Sequence, residues 1–366
     1  MKKKYKKAVI FGTFDIIHPG HMFLFNYAKN FAEELCVIIA RDKNLEKETL
    51  FSEVQRLNNI SKYKIIDNVC LGSLNNPLEF YKKLNPDLIV LGYDQYKNVE
   101  LLKNINVEIK KAPSYKEELF KSQKIRKILS DENANFFLVD KQKDKASFSI
   151  VSQIRKTLNI KKVGFSGTLD PMATGLMIIA TGNATKFLDA FHILNKVYRA
   201  KIEFGKISDS FDAKGTITIK DTKIIPSIKE IEKILNEKFS GEILQAPPIF
   251  SAKKINGKKM YEFARAGKSL DIKKEKITIN NIKILSYKYP FLELEIDCSK
   301  GTYIRSIAND LGEILKTGAI LVELQRTKIG PFDIKDSTKQ EALDKDNIYK
   351  TKINILEILD KINKTL

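Results

Sequence analysis

The sequence predicts two domains, the first an α/β fold on a parallel, Rossmann-like sheet. Three observations carry this. The chain has 366 residues, more than one ordinary core organises. Its first 130 or so residues alternate aliphatic strand patterns with helical ones, which is the signature of βαβ units covered on both faces. A polar patch, Ser130-Asp-Glu-Asn-Ala-Asn135, separates them from a new apolar strand pattern, so the domains read as residues 1–132 and 133–366.

In order, Ala8-Val-Ile-Phe11 is a buried strand that runs into Gly12-Thr-Phe-Asp15, then His18-Pro-Gly-His21 and an apolar helical pattern. Leu35–Ala40 is a second strand, residues 52–63 a helix, and Val69–Leu71 a third strand. A helix from Pro77, strand Leu88-Ile-Val-Leu91, a short helix and strand Val107–Ile109 follow. Tyr115–Leu129 reads as a Lys- and Glu-rich helix. Sheets of this kind bind ligands at the carboxyl ends of their strands. There, Gly12 permits close approach by a phosphate, and the helix start near Gly20 offers free N–H groups and a positive dipole end. His18 and His21 can donate hydrogen bonds to a reacting phosphorus and to departing pyrophosphate. Asp94, in Gly92-Tyr-Asp-Gln95, can contact a ribose or a metal-bound phosphate.

The second part opens with strand Phe136-Phe-Leu-Val139 and helix Ser149–Leu158. Next comes Gly164-Phe-Ser-Gly-Thr-Leu-Asp-Pro-Met-Ala-Thr-Gly175, followed by the apolar strand Leu176–Ala180. Gly167 can adopt backbone angles closed to other residues. Pro171 disfavours helix at Asp170. One carboxylate is therefore held on a tight, anchored loop.

Composition bounds the partners. The formal net charge is +19 and both parts are basic, which favours a polyanionic partner; a lysine-rich compositional bias gives the same balance. Cys36, Cys70 and Cys298 are far apart in apolar runs and read as buried small hydrophobes, with no metal site and no disulfide frame. No apolar run reaches membrane-span length, and the basic start, Met1–Lys7, leads into a strand and not a signal sequence. The expectation is a cytoplasmic protein.

Residues 7–130 resemble the HxGH nucleotidyltransferases, most closely the archaeal-type FAD synthases and glycerol-3-phosphate cytidylyltransferases. The likeness rests on Gly12-Thr-Phe-Asp15, His18-Pro-Gly-His21, Ala40-Arg-Asp42, Gln55-Arg56, Leu71-Gly-Ser73 and Leu91-Gly-Tyr-Asp-Gln95. It implies that Thr13, Phe14, His18, Gly20, His21, Asp94 and Tyr115 contact ATP, brought in with Mg2+. The acceptor stays open among FMN, glycerol phosphate and another phosphate alcohol. The family's Ser-Thr-Ser-like signature is replaced by Lys121-Ser-Gln-Lys124, with Ser122 its surviving hydroxyl.

Residues 135–340 resemble the TruB-type tRNA pseudouridine synthases. Besides the Asp170 loop, the matching strings include Phe137-Leu-Val-Asp-Lys141, Lys196-Val-Tyr-Arg-Ala200 and Ser208-Asp-Ser-Phe-Asp-Ala-Lys-Gly215. Gln245–Lys253, Gly257–Gly267 and Cys298-Ser-Lys-Gly-Thr-Tyr-Ile-Arg305 continue the series. The resemblance implies a mixed-sheet domain that converts uridine-55 in the TΨC loop of tRNA to pseudouridine without a cofactor. It assigns Asp170 as nucleophile and Arg305 as the partner keeping it ionised. Tyr198 is the ring stacked on the flipped base, Tyr303 and Leu324 line the pocket, and Lys141 supports the loop beside the substrate. Phe165 stands where the family carries a histidine that helps flip the base, so either an apolar ring wedges there instead or flipping is weaker. Asp140-Lys-Gln-Lys-Asp-Lys145 lacks the family's Pro and Gly. Too little chain follows Pro331-Phe332 for a full PUA domain. Lys253-Lys254, Lys258-Lys259 and Lys273-Lys274 are candidate tRNA phosphate contacts. The alternatives are a front domain that is a glycerol-3-phosphate cytidylyltransferase or inactive, and a chain acting mainly as a tRNA-binding folding helper.

Overall fold

Ala8, Val9 and Ile10 are fully buried because their strand lies mid-sheet with apolar layers on both faces. Ala8 and Ile10 join the core containing Met22, Phe25 and Ala28, while Val9 faces Cys36, Ile38 and the helix residues Phe80, Tyr81 and Leu84. A strand covered on both faces needs a continuous apolar run, not an alternating one. The computed structural model describes residues 3–95, 102, 106–221, 223–250, 254–255, 258–260 and 273–366.

The first unit runs β1 (Tyr5–Gly12), α1 (Pro19–Phe31), β2 (Ala32–Ile39), α2 (Glu53–Ile60), β3 (Asn68–Leu71) and α3 (Pro77–Leu84). It continues with β4 (Leu88–Leu91), β5 (Glu108–Lys111) and α4 (Ser122–Leu129). All five strands are parallel, in the order β3-β2-β1-β4-β5. The strand order reverses between β1 and β4, so the crevice at their carboxyl ends is the expected ligand site. Gln95 ties those ends together: its Oε1 accepts from Gly92 N at 2.7 Å and its Nε2 donates to Phe11 O at 2.8 Å. Helix α2 starts at a capping box between Ser52 and Gln55, which satisfies two otherwise orphaned N–H groups.

The helix expected over 115–129 begins only at Ser122. Pro113 precedes it and Lys116 adopts a left-handed φ of 42°, which no helix continues through. The short helix expected between β4 and β5 lies largely outside the described residues.

The second unit holds β6 (Phe136–Lys141), α5 (Ser147–Leu158), β7 (Val163–Ser166), β8 (Thr174–Thr181) and β9 (Lys196–Phe204). A small hairpin, β10 (Lys206–Ser208) and β11 (Ile217–Ile219), is followed by α6 (Ile228–Lys238) and β12 (Gly241–Gln245). Then come β13 (Glu275–Lys288), β14 (Phe291–Cys298), α7 (Ile304–Ile314), β15 (Ala319–Ile329) and α8 (Lys345–Lys350). The sheet runs β12-β13-β14-β9-β15-β8-β6 and ends on a short strand at Thr338–Lys339. Most pairs are antiparallel, but β15–β8 is parallel, so the sheet is mixed. Helices α5, α6 and α7 contribute Ile150, Ile154, Ile231, Leu235, Ile307 and Leu311 to one core with the strands. Leu292, Leu294 and Ile296 face that core while Glu293 and Glu295 are less buried, the alternation of a sheet apolar on one face only.

The boundary falls at Glu132/Asn133, but the second unit ends at Ile353, not 366. Residues Asn354–Leu366 belong to the first unit. The reason is α9 (Ile355–Asn363), whose Ile355, Ile358, Leu359 and Ile362 are buried in packing that reaches α1 and α4. Among the described residues no helix is long and apolar enough to cross a membrane.

Candidate active sites

In the second unit Asp170 sits on the loop between β7 and β8. Gly167 has φ 71°, the left-handed turn the sequence required, and Asp170 is outside any helix. Three neighbours fix the loop. Ser147, first residue of α5, donates its hydroxyl to Leu169 O at 2.9 Å and accepts from Leu169 N at 3.0 Å. Lys141 of β6 donates to the carbonyls of Gln142, Lys145 and Pro171 at 3.0, 2.6 and 3.1 Å. Arg326 of β15 donates to Leu176 O at 2.8 Å and Gly167 O at 3.0 Å.

Arg305, at the start of α7, places Nε 3.0 Å from Asp170 Oδ2 and Nη2 3.4 Å from Oδ1. Its Nη1 lies 3.4 Å from Asp212 Oδ2 and donates to Ser210 O at 3.1 Å, while Nη2 also donates to Phe250 O at 3.1 Å. The buried guanidinium is thus charge-paired and hydrogen-bonded on its whole fork. The Asp170 side chain is 40 % exposed, open enough to meet a substrate. Burial nevertheless pushes its carboxyl above the ordinary aspartate value; Arg305 pulls it back and Asp212 pushes it further up. Desolvation is the largest of these effects, and Arg305 is the neighbour that favours the ionised form most strongly.

Tyr198 of β9 packs against the core. Burial raises its phenol pKa, opposed by the neighbouring Arg326. Tyr303 caps α7, and its backbone exchanges two bonds with the Gln245 amide, at 2.8 and 3.0 Å. Leu324 is 9 % exposed. It lines a cavity of about 310 Å3 with Met172, Thr174, Lys143, Arg199 and Lys201. That cavity includes Met172, two residues past Asp170, and has none of Asp170, Tyr198 and Arg305 in its wall. Lys141 was expected to support the loop beside the substrate; at 1 % exposure, with its ammonium on three carbonyls, it braces that loop. Burial lowers its pKa to about 8.

Two functional neighbours escaped the sequence reading. Asp212 lies inside the quoted Ser208–Gly215 string, and Arg326 is a lone arginine within an otherwise strand-like pattern; that mismatch was the available signal. The 257–267 string lies mostly outside the described residues, as does Lys253; the side chains of Lys254, Lys258 and Lys259 are not described either.

In the first unit His18 is the residue before α1, whose second position is Gly20. The His18 and His21 rings stack with centroids 3.8 Å apart. Both Nδ1 atoms are buried with no protein partner. Burial lowers the His18 pKa to about 4 and holds His21 well below its ordinary value, with His18 adding to the effect. Both imidazoles are neutral at pH 7, each with one N–H to donate.

Two adjoining cavities meet here. One, of about 400 Å3, is lined by His18, Gly20, His21, Asp94, Tyr115 and Ser122, among others. The other, of about 900 Å3, shares His21, Asp94 and Ser122 and adds Thr13 and Phe14. The structure thus gathers all seven nucleotide-site candidates. Fully buried Arg56 donates to Thr13 O at 2.6 Å and pairs with Asp42 at 2.5 Å. Asp15 accepts from Leu50 N and Phe51 N at 3.0 Å each and pairs with Arg126 of α4. Tyr115 stacks on Phe23 at 4.9 Å and lies near-parallel to Phe120 at 6.1 Å, forming an aromatic wall.

Residues 155–304 match the TruB family pseudouridylate synthase N-terminal domain, and residues 305–362 match a tRNA pseudouridylate synthase B C-terminal domain. Residues 9–154 match a cytidylyltransferase-like domain. The tRNA pseudouridine synthase B of Protochlamydia amoebophila (strain UWE25) is 47% identical over 196 residues, covering 53% of this chain and 74% of that one. That of Clostridium tetani (strain Massachusetts / E88) is 41% identical over 228 residues, 62% of this chain and 78% of that one. That of Endomicrobium trichonymphae is 42% identical over 207 residues, 57% of this chain and 90% of that one.

Proposed function

Since the chain belongs to the TruB family of tRNA pseudouridine synthases, we propose that its second unit isomerises uridine-55 of the TΨC arm and that its first unit transfers a nucleotidyl group. The observation supporting the first half is the ion pair of Asp170 with Arg305, at 3.0 Å. In pseudouridylation the C1′–N1 bond breaks, the base turns, C1′ bonds to C5, and the C5 proton is lost as N1 gains one. No outside electron donor or group enters, so no cofactor is needed.

Asp170 is the nucleophile, attacking C1′ of the sugar or C6 of the base. Arg305 orients its carboxylate. The flipped base stacks on Tyr198, whose largely neutral phenol can relay the C5 proton. The basic wall of Lys143, Arg199 and Lys201 suits the RNA backbone. The test is pseudouridine mapping on a tRNA transcript incubated with wild type and Asp170→Ala. Modification at position 55 by the wild type alone supports the reading; an active Asp170→Ala overturns it.

In the first unit, the two adjoining cavities around His21 and Asp94 support a nucleoside triphosphate donor with its Mg2+ as co-substrate, reacting with a phosphate-bearing acceptor. Asp94 is positioned for the ribose or a metal-bound phosphate. The histidines donate to the α-phosphate and the leaving pyrophosphate. The Phe23–Tyr115–Phe120 wall favours a planar acceptor, FMN with ATP giving FAD and pyrophosphate. CTP with glycerol 3-phosphate is the competing pair, and pyrophosphate release measured with both pairs separates them. Both substrates of this scheme are cytoplasmic metabolites, as tRNA is, and the protein is read as cytoplasmic.

A further inference from the structure

We propose that helix α9 is an integral part of the nucleotidyl-transfer unit and that Asn363 is a positioning residue for its histidine loop. The proposal rests on the nucleotidyltransferase reading of that unit. Family matching places residues 305–362 with the pseudouridine synthase, yet residues 354–366 fold into the first unit.

The contacts go to the parts that carry the chemistry. Asn363 is 2 % exposed. Its Nδ2 donates to Ile17 O at 3.2 Å and to Tyr63 Oη at 3.1 Å. Ile17 is the residue before His18, so this bond fixes the carbonyl that leads into the stacked imidazoles. Leu366 O accepts from Asn26 of α1 at 3.4 Å. The apolar face of α9 reaches both α1 and α4. Those are the two helices whose first turns bring Gly20 and His21, and Ser122, to the cavity wall. Residues 1–132 alone would leave the Ile17 carbonyl without this donor and expose one side of both helices. A half-buried carbonyl that loses its donor seeks another partner, and small displacements of reacting groups are costly to rate.

The chain has three histidines, which makes the test direct. Full-length protein carrying 13Cε1-histidine is compared as wild type, Asn363→Leu and Asn363→Asp; the aspartate keeps the shape and loses both N–H donors. The His18 and His21 resonances are expected to move while His192, in the second unit, stays. With ATP, Mg2+ and FMN, kcat is expected to fall about tenfold or more with KM for ATP held within about twofold. Tritium release from tRNA is expected to match wild type. Unmoved His18 and His21 resonances overturn the proposal. So does a parallel shift of all three histidines, or a rise in KM with kcat intact, either of which marks a general structural role. A wild type that releases no pyrophosphate with either substrate pair overturns the nucleotidyltransferase reading. The resonance comparison still decides whether Asn363 positions the histidines.

Discussion

Arg305 and Asp212 meet through Nη1 and Oδ2 at 3.4 Å, so the guanidinium that holds Asp170 is itself held by a second carboxylate. The two acids differ in access. The Asp212 side chain is 6 % exposed and that of Asp170 40 %. One anchors the arginine from the interior while the other is left free to react. The same arrangement places a second negative charge behind Asp170, where it opposes ionisation.

The first prediction follows from that charge. Asp170 must be ionised to attack, and its folded pKa is raised, so pseudouridylation is gained as pH rises, with an acid limb above the ordinary aspartate value of about 3.9. Asp212→Asn removes one cause of the rise and is expected to move the limb to lower pH. It also loosens Arg305, and the plateau rate is expected to fall about tenfold or more. Single-turnover rates across pH 4–8 measure both. A limb that moves upward contradicts the electrostatic account.

Lys141 separates loop support from substrate contact. Lys141→Met leaves three carbonyls without their donor, and about 3 kcal/mol of stability is expected to be lost. The turnover rate falls with the loop, while affinity for tRNA stays within about twofold because the ammonium faces no substrate. Denaturant melts and filter binding read the two effects separately. Weakened binding at unchanged stability would return Lys141 to the substrate surface.

Gly215 tests the Asp212 anchor without altering Asp170, Arg305 or Asp212 itself. A Cβ there would lie 2.1 Å from Asp209 Oδ1, 2.3 Å from Ser210 Oγ and 2.5 Å from Ser208 Oγ. The Ser210 hydroxyl donates to Asp212 Oδ1 at 2.7 Å, so the clash reaches the anchor directly. Gly215→Ala is expected to cost about 3 kcal/mol and to slow pseudouridylation, with nucleotidyl transfer unaffected. A stable, fully active Gly215→Ala protein would show that the turn yields freely.

His18 serves the other unit. His18→Ala is expected to cut nucleotidyl transfer at least a hundredfold and leave uridine isomerisation intact. Its pKa also sets a stability slope. Above about pH 6.5 the folded and unfolded states are both neutral at this residue. Between about 6.5 and 4 the unfolded chain takes up a proton that the folded one refuses. Stability is therefore lost as pH falls through that window, by about 3 kcal/mol at its lower end. His18→Asn should flatten the slope of melting temperature against pH over the same range.

Much of this was readable from residue order alone. The βαβ alternation, the boundary after Glu132 and the Asp170 loop depend on local patterns, namely apolar runs, glycine turns and a proline after the acid. Arg305 was readable because a dense family string carries it. Asp212 and Arg326 were not singled out because their meaning lies in distant partners. A buried charge looks like a surface charge until its acceptors, here Gly167 O and Leu176 O, are brought beside it. The helix expected over 115–129 failed on backbone geometry at Lys116. The extent of the second domain failed because an amphipathic stretch such as 355–363 does not declare which core it will join.

That choice of core has a consequence for biosynthesis. The first unit is discontinuous in sequence, built from segments on either side of the second. A ribosome that has delivered residues 1–132 has not yet delivered the Asn363 amide or the apolar ridge that packs on α1 and α4. The first unit to emerge is therefore the last to mature, and a nascent chain stalled inside the second unit would carry an RNA-modifying fold half made and a first unit left ajar.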